Sequence, residues 1–167
     1  MTVFVTVGTT SFDELIKQVC SESVMQVKVL HSRGYSDLVL QVGRGNIEPE
    51  SVPLHTFGMN VLAYRFKDSL DEDIARASLI ISHAGAGSCL EALRAKKSLV
   101  AVVNEQLMGN HQVELATQLH ADKHLLQCTC NTLLDTLKSM DLSCLKPLPP
   151  ECRDRFVEFL DNLMLFE

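Results

Sequence analysis

The sequence predicts an α/β fold, a parallel sheet with helices on both faces. Two observations carry this reading. Short apolar runs of β-formers alternate along the chain with stretches of helical spacing, and that alternation leads to parallel strands joined by crossover helices. The runs show little polar alternation, as strands buried on both faces do. A third observation concerns the loops. Gly8–Ser11, Gly43–Gly45, His83–Ser88 and Asn104–Gln112 all follow strands and carry glycine or polar residues. Open α/β sheets bind ligands at that rim, near the switch in strand order.

The elements follow in order. Val3-Phe4-Val5-Thr6-Val7 reads as a central strand, and Gly8-Thr9-Thr10-Ser11 as a tight turn and helix cap. A helix is predicted from Phe12 to Leu30, broken by Gly34-Tyr35. Leu38 to Val42 is the second strand, and residues 46–58, with Pro49, Pro53 and Gly58, read as loop. Val61 to Phe66 is the third strand. Ser69 or Asp68 caps the next helix, whose first turn holds Asp71, Glu72 and Asp73. Leu79 to Ile81 is the fourth strand, followed by a helix over 86–96. Leu99 to Val103, a helix from Asn110 to His120, a weak strand at Leu125 to Gln127 and a helix from Thr132 to Met140 complete the pattern. Residues 1–145 form the ligand-binding domain. Residues 146–167 read as a proline linker and an amphipathic helix from Arg153 to Phe166, its apolar stripe suited to this chain's own sheet or to a partner.

Composition bounds the function. The 167 residues carry a net charge of −6, with 46% apolar and 22% charged residues, which suits one globular domain. An acidic chain does not offer the basic face that nucleic acid requires. No apolar run is long enough to span a bilayer. Met1-Thr2 leads straight into the first strand, so no signal peptide is read, and the six cysteines are expected as free thiols in a reducing compartment.

The stretch Leu79-Ile80-Ile81-Ser82-His83-Ala84-Gly85-Ala86-Gly87-Ser88 organises the rest. A strand, a glycine turn and a helix start aim backbone N–H groups at an anion, and the helix end adds about half a positive charge. The same turn also suits packing alone. His-Ala-Gly-Ala-Gly-Ser, with Glu91 after it and Asn110-His111-Gln112 later, resembles the nucleotide-sugar half of two-lobed glycosyltransferases, among them the bacterial enzyme that adds N-acetylglucosamine to a lipid-linked peptidoglycan precursor. Phe4 to Asp13, Leu40 to Gly45, Tyr64 to Leu70 and Ile81 to Cys89 extend the likeness. Over residues 3–145 the chain resembles the small catalytic subunits of the dolichol-pathway UDP-N-acetylglucosamine transferase.

The resemblance implies a Rossmann-like single lobe of a two-lobed glycosyltransferase. It implies transfer of N-acetylglucosamine from UDP-N-acetylglucosamine to N-acetylglucosaminyl-diphospho-dolichol with inversion, in the second step of lipid-linked oligosaccharide assembly. A membrane-anchored subunit would bind the acceptor and recruit this chain from the cytoplasm to the cytosolic face of the endoplasmic reticulum. UDP-N-acetylglucosamine is then a substrate, and neither a further cofactor nor a metal is expected. A non-catalytic nucleotide-sugar-binding paralogue is the alternative. Gly8, Thr9 and Thr10 offer donors to the diphosphate, as do Gly85, Ala86, Gly87 and Ser88. Glu91 suits the ribose hydroxyls, and Asn110 and Gln112 suit the sugar, because each amide both donates and accepts. One departure stands out: where the family commonly has Gly-Lys-Pro before the fifth strand, this chain has Lys96-Lys97-Ser98, at the end of the sheet away from the ligand.

Other features have two readings. His83 is either a turn-stabilising ring or a catalytic base. Arg44 meets phosphate or the partner, or is simply solvated. Asp71-Glu72-Asp73 spells the metal-binding D-x-D but also complements a helix start. His120, His124, Cys128 and Cys130 have loosely zinc-like spacing without the usual C-x-x-C knuckle. Ser88-Cys89 lacks the later glycine of a hydrolase elbow.

Overall fold

The computed structural model describes residues 1–20, 25–105 and 110–149, with only the backbone for Met25 and for 110–112. The predicted helix from Arg153 to Phe166 lies outside the described residues. The strands are β1 (Thr2–Thr6), β2 (Asp37–Gln41), β3 (His55–Thr56), β4 (Met59–Tyr64), β5 (Ala77–His83), β6 (Ser98–Val103) and β7 (Leu126–Thr129). The helices are α1 (Asp13–Cys20), α2 (Met25–Ser32), α3 (Asp71–Arg76), α4 (Ala86–Arg94), α5 (Asn110–Ala121) and α6 (Leu133–Ser139). The sheet order is β3-β4-β2-β1-β5-β6-β7, and every pairing except β3–β4 is parallel.

Successive strand side chains alternate between two cores, because the strand period is two. Val3, Val5, Leu79, Ile81, Val100 and Val102 pack with Leu15 and Ile16 of α1, Leu30 of α2 and Leu133 of α6. Phe4, Ile80, Leu99 and Ala101 face the opposite way, against Ile74 of α3, Leu93 of α4 and Leu115 of α5. This two-sided burial is why the strand sequences read as continuous apolar runs. The strand order turns at β1 and β5, which pair with each other while the chain departs to opposite sides. The crevice above their carboxyl ends is therefore the place for a ligand.

Three expectations need correction. The helix expected over 12–30 is described as α1, ending at Cys20, and α2, starting at Met25 and running on to Ser32; residues 21–24 lie outside the described residues. The loop over 46–58 contains a 3-10 turn at Pro49–Ser51 and the strand β3. β3 joins β4 through Phe57 and Gly58, both with positive φ, at 47° and 82°. Such a two-residue hairpin normally advertises itself by Asn-Gly. Here the Lys28 ammonium lies 4.5 Å over the Phe57 ring, so contacts with α2 hold a turn that local sequence does not announce. The third strand ends at Tyr64 rather than Phe66, which frees Arg65 and Phe66 for the rim.

The departure at Lys96-Lys97-Ser98 has a visible cost. Lys96 has φ 56°, and the amides of Lys96 and Lys97 donate to Leu93 and Ala92 carbonyls, both at 3.0 Å. These two bonds are the helix-ending pattern that usually takes glycine at the left-handed position. A lysine holds that conformation at a cost of roughly 1 kcal/mol relative to glycine. The site is not involved.

Candidate donor site

The turn after β1 and the start of α4 meet across the β1–β5 crevice. A methyl built on Gly8 would lie 2.8 Å from His83 Cε1 and 3.6 Å from Ser88 Oγ. One on Gly85 would collide with His83 Nε2. The imidazole is thus wedged between the two glycines, and both must lack a side chain for it to fit. Gly87 is different: a methyl there meets nothing within 4 Å. Packing does not require glycine at that position, and the space beside it is open.

These residues line an open cleft of about 750 Å³, whose walls include Gly8, Thr9, His83, Gly85, Ala86, Gly87, Ser88 and Glu91. The N-terminus of α4 enters the cleft without a side-chain cap and without an acidic residue in its first turn. Its first amides and its dipole are therefore uncompensated and available to an anion. By contrast α3, beside the same cleft, carries Asp71, Glu72 and Asp73 in its first turn. Glu91 stands exposed one turn into α4, on the cleft wall.

Burial holds the His83 imidazole below its ordinary value, against the opposing effect of the Thr6 backbone carbonyl. Its Nδ1 is buried with no partner in hydrogen-bond geometry, so desolvation outweighs the carbonyl and the ring is neutral at neutral pH. Below about pH 6.5 the unfolded chain takes up a proton that the folded ring resists, so acidification removes stability. The melting temperature is expected to fall between about pH 7.5 and pH 5.5, and to fall less steeply in His83→Gln. Equal slopes in the two proteins would contradict a desolvated ring.

Two predicted residues are placed away from the cleft lining. Thr10 is part of the turn itself: its hydroxyl donates to the Val7 carbonyl at 2.8 Å, and its own carbonyl accepts from the Arg44 amide at 2.9 Å. The Arg44 side chain is exposed. Its loop is fixed by Asp13, whose carboxylate accepts from the Asn46 amide at 2.9 Å, and by Arg65, which donates to the Gly43 and Gly45 carbonyls at 3.0 and 2.9 Å. Asn110 begins α5; the side chains of Asn110 and Gln112 lie outside the described residues.

The cleft also contains residues that sequence reasoning missed: Gln41 and the segment from Phe66 to Asp71. Gln41 is the polar residue at the end of an apolar strand. Its Oε1 accepts from the Thr6 hydroxyl, which leaves its NH2 to donate. Phe66 is 48% exposed, an aromatic face at the rim.

Other motifs dissolve into local structure. Ser69 Oγ accepts from the Asp71 amide at 3.0 Å, so it serves the start of α3 one residue before the formal cap, Leu70. Asp71 bonds Ser69, whereas Asp73 bonds Tyr64 and Lys67. His120 Nδ1 lies 3.2 Å from the Leu125 carbonyl and His124 Nδ1 3.0 Å from that of Lys146, while Cys128 and Cys130 sit in the core beneath α6. Burial pushes the Cys89 thiol up to about 12, which removes it as a nucleophile at neutral pH.

The profile of the glycosyltransferase family 28 C-terminal domain matches residues 2–158. The chain belongs to glycosyltransferase family 28. Among its curated relatives in this family, the UDP-N-acetylglucosamine transferase subunit ALG13 of Mus musculus is 50% identical over 166 residues, covering 89% of this chain and 14% of that protein. The Homo sapiens protein of the same name is 50% identical over 152 residues, covering 91% and 13%. The chain therefore spans about one seventh of the length of these two relatives. The Yarrowia lipolytica ALG13 is 41% identical, covering 75% of this chain and 64% of its own. An NMR solution structure of ALG13 superposes with a TM-score of 0.68 at 26% identity, over 95% of this chain and 94% of that one. Acinetobacter baumannii MurG superposes with a TM-score of 0.61 over 86% of this chain and 42% of its own. At 18% identity that likeness concerns the fold: one lobe of the two-lobed architecture. Among the described residues of this family 28 domain no helix is long and apolar enough to cross a membrane.

Proposed function

We propose that this domain is the donor-binding, catalytic subunit of a heteromeric UDP-N-acetylglucosamine transferase. It moves N-acetylglucosamine onto N-acetylglucosaminyl-diphospho-dolichol with inversion, in the second step of lipid-linked oligosaccharide assembly. One observation carries the reading: the uncapped start of α4 opens into the cleft beside the unfilled space at Gly87, opposite the Gly8-Thr9 turn. A diphosphate there meets the amides of Ala86, Gly87 and Ser88. Glu91 accepts from ribose hydroxyls, and Phe66 offers its face to the base. As the bond from the sugar C1 to the β-phosphate oxygen breaks, charge gathers on departing UDP, where those amides stabilise it most.

A nucleophilic acceptor hydroxyl must approach C1 from the side opposite the leaving group and surrender its proton. His83 is neutral, but its ring is wedged between Gly8 and Gly85, so we assign it to holding the two turns. Proton removal falls to the second lobe, supplied by a membrane-anchored partner that binds the lipid acceptor and holds this chain on the cytosolic face of the endoplasmic reticulum. Asn110 and Gln112 are assigned to the sugar, and the exposed Arg44, outside the cleft, to that partner or its diphosphate acceptor. The donor is a substrate, and no metal or other cofactor is part of this reading.

The test is twofold. UDP-N-acetylglucosamine should raise the melting temperature of the chain alone, and transfer to an N-acetylglucosaminyl-diphospho-lipid should appear only after co-expression with the membrane subunit. Failure to bind the donor would overturn the donor site. Turnover by the chain alone would overturn partner dependence. Binding without transfer in every pairing would identify a non-catalytic paralogue.

A further inference from the structure

Resting on the donor-cleft reading above, we propose that Asp73 is a positioning residue for the base-binding side of the cleft. It fixes the Tyr64–Lys67 turn so that Phe66 stands in the rim.

The geometry is a closed polar ring joining the end of β4 to the start of α3. Asp73 is 7% exposed. Its carboxylate accepts from Tyr64 Oη at 2.5 Å and from Lys67 Nζ at 2.7 and 3.0 Å. The Lys67 ammonium also lies 4.4 Å over the Tyr64 ring. On the other side of Phe66, Arg65 is tied to the Gly43 and Gly45 carbonyls and to Glu48 at 2.6 Å. Residues 64, 65 and 67 are thus each anchored; Phe66, which lies between them, lines the cleft together with Lys67.

A carboxylate in this place is not explained by stability. Burying one is costly, and a pair whose lysine is 37% exposed returns little. A carboxylate does what an apolar residue does not: it draws the Lys67 ammonium away from the cleft that its side chain borders and sets the turn in one conformation. Lys67 borders both the donor cleft and the groove holding Asp73, so it is the pillar between them. Burial, then Asp73, raises the Tyr64 phenol above its ordinary value, so Tyr64 stays a donor and the ring stays closed across the working pH range.

The test separates base from phosphate. The whole chain and its Asp73→Asn and Tyr64→Phe variants are titrated with UDP, UMP and inorganic pyrophosphate, by calorimetry or by NMR shifts. Asp73→Asn keeps the shape and removes the charge that holds Lys67; Tyr64→Phe removes one hydroxyl from the opposite side. We expect UDP and UMP to bind roughly three- to tenfold more weakly to Asp73→Asn, the worth of one aromatic contact. Tyr64→Phe should show a smaller loss of the same pattern, Asp73→Glu should recover most of it, and pyrophosphate should bind all four proteins equally. UMP binding at wild-type strength in both variants would overturn the assignment while leaving the donor site standing. Equal losses for UMP and pyrophosphate would also overturn it, by marking Asp73 as merely structural. A wild-type chain that binds neither UDP nor UMP ends the donor reading itself.

Discussion

Gly87→Asp is expected to leave the chain folded and to weaken UDP-N-acetylglucosamine binding at least about a hundredfold. A methyl at Gly87 meets no atom within 4 Å beyond its own helix turn, so the first carbon of the new side chain enters open space. An acid in the first turn of α4 even complements the helix dipole, which is worth a few tenths of a kcal/mol. The ligand meets the opposite effect. A carboxylate about 4 Å from a diphosphate charge costs on the order of 4 kcal/mol at an effective dielectric of 20, and it fills the approach to the amides. Thermal melts and calorimetric titration check both halves. Donor binding at full strength in a folded variant would remove the diphosphate from the start of α4.

Two residues earlier, the same kind of change should act in the opposite way. Gly85→Ala is expected to destabilise the chain by about 2–3 kcal/mol, the usual cost of forcing a methyl into filled space. The new carbon would overlap His83 Nε2. Gly8 bounds the ring on its other side, where a built methyl would come within 2.8 Å of the imidazole, so relief requires the ring to turn toward the cleft that it lines. In a chain of this size the loss should lower the melting temperature by roughly 4–12 °C. Removing the ring as well, in Gly85→Ala with His83→Ala, should recover part of it, the non-additivity expected of touching groups. Additive losses would show that the wedge does not exist.

The pair shows how much of the site could be read in advance. The glycines of His-Ala-Gly-Ala-Gly-Ser announce a turn between a strand and a helix, and with Glu91 and the Gly8-Thr9 turn they point to one rim. That legibility is local: each signal lies within one turn of the residue that produces it. Nothing local says that Gly85 makes room for a ring while Gly87 leaves room for a ligand, since the difference is made by where the His83 ring at the end of β5 comes to lie and by Gly8, which arrives from the end of β1. Phe66 and Gln41 were hidden for the same reason. In sequence Phe66 continues an apolar run, and only the end of β4 at Tyr64, set by pairing with β2, turns it out to the rim. Thr10, conversely, resembles a phosphate donor in sequence but spends its hydroxyl on Val7.

What this chain determines by itself is therefore its periodicity and its breaks. Apolar runs buried on both faces, spaced by helices, admit little besides a parallel sheet, and the glycine-bearing loops must then share a rim. The tertiary structure alone decided the β3–β4 hairpin, held through Phe57 by Lys28, and the closed ring of Tyr64, Lys67 and Asp73. It also decided the trapped ring of His83. Backbone preference and hydrophobic period are properties of neighbours along the chain, whereas a hydrogen bond to a buried carboxylate or a methyl's worth of space depends on residues that meet only after folding.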